Sequence, residues 1–92
     1  MMYVDVLWLH TDDERPVRIV SELDAHRYEV RKLEFFRTRG VGYAEADFAF
    51  GSTELDAAPV PELERINADP QRHGAVISAE EFAVLWDQYT RG

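Results

Sequence analysis

The first half of the chain alternates apolar and polar residues with the period of two that is typical of β-strands. Residues 2–10, 17–23, 28–37 and 41–50 show this pattern, and short turns containing charged residues or glycine separate them. Because strands joined by short turns usually pair with their neighbours in the chain, the pattern predicts a four-stranded antiparallel β-meander.

The apolar positions of the third predicted strand change parity along its length. Tyr28 and Val30 share one face, whereas Leu33 and Phe35 fall on the opposite face of a regular strand. One inserted residue would bring all four side chains to the same side, so we predict a β-bulge near Arg31–Lys32. The alternative is a strand that is buried on both faces near its end.

The second half of the chain has helical spacing. Pro61 suits the first turn of a helix that ends before Pro70, which predicts a short helix of about two turns. Ser78 and Glu81 have the spacing of a capping box, and the apolar residues that follow repeat at i, i+3, i+4 and i+7. This apolar stripe, which must pack against the sheet, consists of Phe82, Leu85, Trp86 and Tyr89.

Together these elements predict an α+β fold, in which a four-stranded antiparallel β-meander is packed by a C-terminal helix, with one short helix in addition. A chain of 92 residues has the length of one domain. We therefore expect a single domain over residues 1–92, with the sheet in residues 1–50 and the helical part in residues 51–92.

The stretch "SELDAHRYEVRKLEFF", residues 21–36, places His26 close to several acids and bases. We interpret it as the polar face of a β-hairpin rather than as a reactive cluster. Arg18 and Glu22 of the second strand are expected to point outward beside it. The charges that alternate in sign along this mostly solvated surface are Glu29, Arg31, Lys32 and Glu34.

Composition and charge restrict the possible functions. The absence of cysteine excludes disulfides, zinc–thiolate sites and thiol nucleophiles. A formal net charge of −8 argues against binding to nucleic acid or to anionic membranes. No N-terminal stretch has the features of a signal peptide, and the apolar run Val6–Leu9 is too short to span a bilayer, so we expect a cytoplasmic protein.

The negative charge is concentrated in residues 41–92, which carry 10 acids and 3 bases. This half of the chain suits a basic partner, although solubility alone can also account for acidic helices.

No motif assigns catalytic, cofactor-binding or metal-ligating residues, and we expect no enzymatic activity. His10, His26 and His73 lack the short spacings of metal-binding histidines, and no serine lies in a Gly-x-Ser-x-Gly motif. A catalytic carboxylate pair is an alternative, because Glu45 and Asp47 would lie on the same face of the fourth strand.

Several linked motifs resemble those of a widespread family of small bacterial proteins. They are Ser21–Asp24, Arg27–Lys32 and Gly42–Ala44, followed by "PVPELERINADP" and "ISAEEFAVLWD", so the resemblance covers nearly the whole chain. The family has no assigned activity, and the resemblance therefore implies no catalytic or ligand-binding residues. Small acidic proteins of this type are similar in size and charge to the immunity proteins of bacterial toxin systems.

Two hypotheses of function follow. The first is a protein-binding module, most concretely an immunity protein that occludes the basic site of a toxin, with no cofactor. Its expected partner-binding residues are Glu45, Asp47, Glu54, Asp56, Glu62, Glu64 and Asp69.

The alternative is a small-molecule-binding domain or enzyme with a cleft between sheet and helices. The residues expected at the mouth of that cleft are His26, Arg27, Tyr28, Tyr43 and Glu45. An unpaired edge of the sheet could in addition accept a strand from a partner, and an accessory domain of a larger complex would be hard to distinguish from the first hypothesis.

Overall fold

A computed structural model describes residues 1–91 and shows a six-stranded antiparallel sheet with two helices, which confirms the α+β class. The order of the strands across the sheet is β5-β4-β3-β2-β1-β6. The elements are β1 (Met2–Trp8), β2 (Arg18–Leu23), β3 (Glu29–Phe36), β4 (Gly40–Glu45), β5 (Phe48–Phe50), α1 (Leu63–Asn67), β6 (Arg72–Ile77) and α2 (Ala79–Thr90).

The prediction of four strands was wrong by two. The fourth predicted strand is divided by a turn at Ala46–Asp47, so that β5 folds back on β4. Strand β6 forms between the two helices, where the sequence analysis predicted no strand, and it pairs with β1 at the other edge of the sheet. Its strand conformation is imposed by this pairing, since a segment with His73, Gly74 and Ala75 has little intrinsic β-propensity.

The parity change in β3 is resolved by a bulge, as the pattern predicted. Glu22 lies opposite Arg31, whereas the next residue of β2, Leu23, lies opposite Glu29. Val30 is therefore the additional residue, one position before the predicted site. The insertion places Arg31 and the alternate residues after it on the face of the sheet that α2 covers.

Helix α2 begins with the predicted capping box and packs its apolar stripe against the sheet. Ser78 Oγ accepts a hydrogen bond from the Glu81 N–H at 3.0 Å, and Glu81 Oε1 accepts one from the Ser78 N–H at 3.0 Å. Phe82 is fully buried against Val20 and Leu33. Among the described residues, neither helix is long and apolar enough to cross a membrane.

The second face of the sheet is covered by α1 and by the loop that precedes it. Arg27 holds this loop: its carbonyl accepts a hydrogen bond from the Val60 N–H at 2.8 Å. Its guanidinium donates to the carbonyl oxygens of Val60 and Pro61 at 2.8 and 2.7 Å. Arg27 adopts a left-handed φ of 69°, so a strained backbone position is maintained at the point where sheet and loop meet.

Candidate protein-binding surface

The charged residues of the hairpin form buried ion pairs on both faces of the sheet. On the α2 face, Glu22 accepts hydrogen bonds from Arg31 Nε at 2.6 Å and Nη2 at 3.2 Å, and from the Tyr3 hydroxyl at 3.0 Å. The Arg31 guanidinium lies 4.9 Å from the ring centroid of Phe82 and 5.0 Å from that of Trp86. These hydrogen bonds, above all those from Arg31, hold the pKa of the Glu22 carboxyl below its usual value.

On the opposite face, the ammonium of Lys32 lies under the loop that follows β5. Lys32 Nζ donates to Glu29 Oε1 at 3.2 Å and to the Glu54 carbonyl at 3.1 Å, with Glu34 Oε2 at 3.8 Å. Glu29 Oε1 also accepts a hydrogen bond from the Asp56 N–H at 2.6 Å. This network attaches the loop to β3.

The expectation of a mostly solvated polar surface was therefore wrong. Glu22 is 6% exposed and Lys32 is 8% exposed, because the sheet is covered on both faces. The side chains of Arg18 and Glu22, which were predicted to point outward to solvent, point towards α2. Their charges are tolerated because each has a hydrogen-bonded partner, Asp5 for Arg18 and Arg31 for Glu22.

The residues expected at the mouth of a cleft do not come together. His26 and Tyr28 lie in the β2–β3 turn, where the side chain of Asp24 accepts hydrogen bonds from their backbone N–H groups at 2.8 and 3.0 Å. Tyr43 lies on the α2 face of β4, with its ring centroid 5.9 Å from that of Trp86. The Arg27 side chain is hydrogen-bonded to the loop before α1, so these side chains do not form one site.

The histidines also lie apart. His10 is in the β1–β2 loop, His26 in the β2–β3 turn and His73 on β6. Within residues 1–91, no group of three or more histidine, aspartate and glutamate side chains is arranged to hold a metal ion. His10 instead organises its own loop, with Nε2 2.8 Å from the Pro16 carbonyl oxygen and Nδ1 accepting from the Asp12 N–H.

The distribution of ion pairs shows where the net charge of the protein is located. Within residues 1–91, nine of the ten basic side chains lie within 4.0 Å of a carboxylate, and only Arg65 does not. Ten of the eighteen carboxylates take part in these pairs. The eight without such a pair are Asp24, Glu45, Asp47, Glu54, Asp56, Glu64, Glu80 and Glu81.

Five of these eight carboxylates lie at one end of the sheet. Glu45, Arg31, Glu22, Tyr3 and Ile77 are opposite one another in successive strands and form a row near this end, beyond which Leu23 pairs with Met2 and Glu29. The β2–β3 turn, the β4–β5 turn and the start of α2 all follow directly from this row. We call this region the acidic end, and it consists of Asp24, Glu45, Asp47, Glu80 and Glu81.

The opposite end of the sheet is electrically balanced. There the β1–β2 loop and the β3–β4 turn contribute three acids and three bases, and each acid is paired with a base at 3.3 to 4.0 Å. The pairs are Asp12 with Arg15, Asp13 with Arg37 and Glu14 with Arg39. The carboxylates without an ion pair are therefore concentrated at the acidic end and not at the opposite one.

The seven carboxylates predicted to bind a partner are divided among three places. Glu45 and Asp47 belong to the acidic end, but β4 ends at Glu45, so the prediction that both share one strand face was wrong. Glu54 and Asp56 lie on the loop that crosses β3 towards the same end. Glu64, on α1, has no ion pair among the described residues.

The other two predicted carboxylates are engaged in ion pairs. Glu62 lies 3.5 Å from Arg27, and Asp69 lies 3.7 Å from Arg72. The structure adds three residues that the sequence analysis missed, namely Asp24, Glu80 and Glu81. The capping box placed Glu80 and Glu81 in the first turn of α2, but only the pairing of β6 with β1 brings that turn to the acidic end.

These features define a small α+β protein in which the charged hairpin is buried in ion pairs and most of the carboxylates without an ion pair lie at one end of the sheet. A model of the family described as "Domain of unknown function (DUF6881)" matches residues 2–91. The chain therefore belongs to this family. No curated protein and no solved structure matches the chain.

Proposed function

We propose that this protein binds a basic protein partner, and that it acts as an immunity protein which neutralises a bacterial toxin by occluding a basic site. The observation that supports this most directly is the location of the unpaired carboxylates. Five of them form the acidic end, and within residues 1–91 no basic side chain lies within 4.0 Å of any of these five.

The mechanism is electrostatic attraction followed by steric occlusion. The acidic end attracts the partner during diffusional encounter, which can accelerate association by about ten- to a thousandfold at low salt. Glu45 and Asp47 lie at the β4–β5 turn and are both exposed, so they are available to contact a basic site. A toxin whose basic site is covered in this way loses access to its substrate.

The first experiment is co-expression with the protein encoded by the neighbouring gene. A toxin encoded there should be inhibited, and rescue of growth by this protein is the readout. The binding rate of the purified pair should fall steeply as the salt concentration rises, since exposed charges are screened. Association that is indifferent to ionic strength would contradict the electrostatic part of the proposal.

Charge reversal locates the contact. The double variant Glu45→Lys/Asp47→Lys should slow association at least tenfold. The matched control is Asp13→Lys/Glu14→Lys, which changes the net charge equally at the balanced end. Equal slowing by both double variants would show that only the total charge matters, and it would argue against the acidic end as the contact.

An open groove favours small-molecule binding as the second candidate function. It has a volume of about 490 Å³ and opens on the α1 face between the β1–β2 loop and the loop after β5. Its lining includes Trp8, Lys32, Glu34, Phe36 and Arg39. A site with aromatic walls and charges of both signs suits a small polar ligand with an apolar part.

Thermal-shift screening against metabolites tests this second candidate. A ligand present at a hundred times its Kd stabilises the fold by about 2.7 kcal/mol, which is several degrees in a domain of this size. The variant Trp8→Leu should abolish the shift if the ligand contacts the indole. A shift that persists unchanged in Trp8→Leu would place the ligand elsewhere.

A further inference from the structure

The two edges of the sheet differ in how their backbone groups are satisfied. At the β6 edge, the side-chain amide of Asn67 donates to the Gly74 carbonyl at 3.0 Å and accepts from the Gly74 N–H at 2.6 Å. The Arg72 N–H donates to the Asp69 carbonyl at 3.0 Å. The β6 edge is therefore largely closed to a further strand.

At the β5 edge, no such protection is found among the described residues. All three residues of β5 are exposed, and Phe48 and Phe50 are 50% and 55% exposed. The two-residue turn at Ala46–Asp47 closes on the pair Glu45 and Phe48. Because hydrogen-bonded and non-hydrogen-bonded pairs alternate along antiparallel strands, the N–H and C=O of Ala49 point away from β4.

An aromatic strip lies beside this open edge. The ring of Tyr43 is 5.6 Å from that of Phe48 and 5.1 Å from that of Phe50, and it is 5.9 Å from that of Trp86. The strip formed by Phe48, Tyr43 and Phe50 continues the apolar core outward to solvent. Half-exposed aromatic residues next to a free strand edge are typical of a surface that binds another chain.

The charges around the aromatic strip identify the kind of chain it suits. Glu45 and Asp47, which have no ion pair among the described residues, lie at the turn end of β5. A second copy of this protein would carry the same net charge of −8 and would be repelled. A basic chain is attracted instead.

We infer that β5 accepts an extended, basic segment of the protein partner as an additional strand. The inference rests on the proposed function and specifies where on this protein the partner is held. Backbone hydrogen bonds to Ala49 position the segment, its apolar side chains pack on Phe48 and Phe50, and its basic side chains lie near Glu45 and Asp47.

A synthetic peptide of alternating lysine and valine residues is the probe, and a peptide of alternating glutamate and valine is its control. The lysine peptide should bind in a salt-dependent way and shift the NMR amide signals of Phe48–Phe50. The variant Ala49→Pro, which removes the outward N–H without removing a bond to β4, should weaken binding at least tenfold. Val84→Ala, at a residue that is 64% exposed on α2, should leave binding unchanged.

Phe48→Ala/Phe50→Ala provides a second variant if Ala49→Pro does not fold, and it should also weaken binding about tenfold or more. The inference would be overturned if the variant bound the lysine peptide as tightly as the wild type does. It would also be overturned if the peptide shifted only the signals of β6, or if it did not bind the wild-type protein. A wild-type dimer that Ala49→Pro converts to a monomer would overturn it too, because it assigns the edge to a second copy. The proposed function is judged separately, by rescue of growth and by the charge-reversal variants.

Discussion

The ion pair between Glu22 and Arg31 should contribute substantially to stability, and the variant Glu22→Gln tests this. The substitution keeps the shape of the side chain but leaves the Arg31 guanidinium under α2 without its carboxylate. Breaking a buried ion pair by removing one partner costs about 3–5 kcal/mol. The side chain of Arg31 is 28% exposed and can recover some hydration, so we expect a cost of about 2–3 kcal/mol.

Urea unfolding followed by circular dichroism measures this cost. With a dependence of about 1 kcal/mol per molar urea for a chain of this size, the midpoint should fall by about 2–3 M. The matched control is Asp87→Asn, which removes the exposed pair between Asp87 and Arg91. Exposed pairs of this kind contribute about 0.3–0.5 kcal/mol, so the control should barely move the midpoint.

A double-mutant cycle with Arg31→Met separates the interaction from the effects of the single side chains. The loss of unfolding free energy in the double variant should be smaller than the sum of the two single losses by at least about 1 kcal/mol, because no uncompensated charge is left. Additivity within about 0.5 kcal/mol would refute the interpretation of Glu22 and Arg31 as a coupled buried pair.

The same pair predicts a pH dependence of defined sign. Since the fold lowers the pKa of Glu22, the stabilisation is present above the unfolded-state pKa and is lost as the pH falls through the lower folded-state pKa. The difference in stability between wild type and Glu22→Gln should therefore be constant near neutral pH and decrease in acid. A difference that grows as the pH falls below 4.5, the ordinary pKa of this carboxyl, would contradict this reasoning.

Three further substitutions test the elements that surround the sheet. Asn67→Ala should lower the free energy of unfolding by about 1–2 kcal/mol and accelerate hydrogen exchange of the Gly74 amide, since both outward backbone groups of Gly74 lose their partner. Unchanged exchange would show that other groups protect this edge. Ser78→Ala should cost about 1 kcal/mol in chemical denaturation, and a cost near zero would contradict the role of the N-cap. Gly42→Ala should cost about 1–3 kcal/mol, because a Cβ there would collide with the buried Thr53 side chain. A thermal midpoint equal to that of wild type would show that Thr53 can move aside.

The final helix could be predicted from sequence because its signals are local. The hydrogen-bonding groups of a capping box lie three residues apart, and the side chains of the apolar stripe lie on one helix face whatever surrounds them. The bulge at Val30 was predictable for a related reason, since a period of two cannot change parity without an insertion. Both inferences depend on the chain within a few residues of the feature.

The burial of the charged hairpin could not be predicted in the same way. Alternation indicates that two sets of residues face opposite directions, but it does not indicate whether the second direction leads to solvent. Lys32 and Glu22 are buried by segments that lie more than twenty residues away in the chain, the loop after β5 and helix α2. Strand β6 was missed for the same reason, because its conformation depends on β1 and on Asn67.

The location of the net charge shows most clearly what the topology adds to the sequence. Along the chain, the excess of acids falls in residues 41–92, which suggested that the second half of the chain forms the acidic surface. In an antiparallel sheet, however, alternate turns gather at the same end, so Asp24 from the first half joins Asp47 and Glu80 from the second. The acids of the β1–β2 loop fall at the other end, where Arg37 and Arg39 compensate them. Four of the five carboxylates of the acidic end still come from the second half of the chain, and the parity of the turns sets the end of the sheet at which they gather.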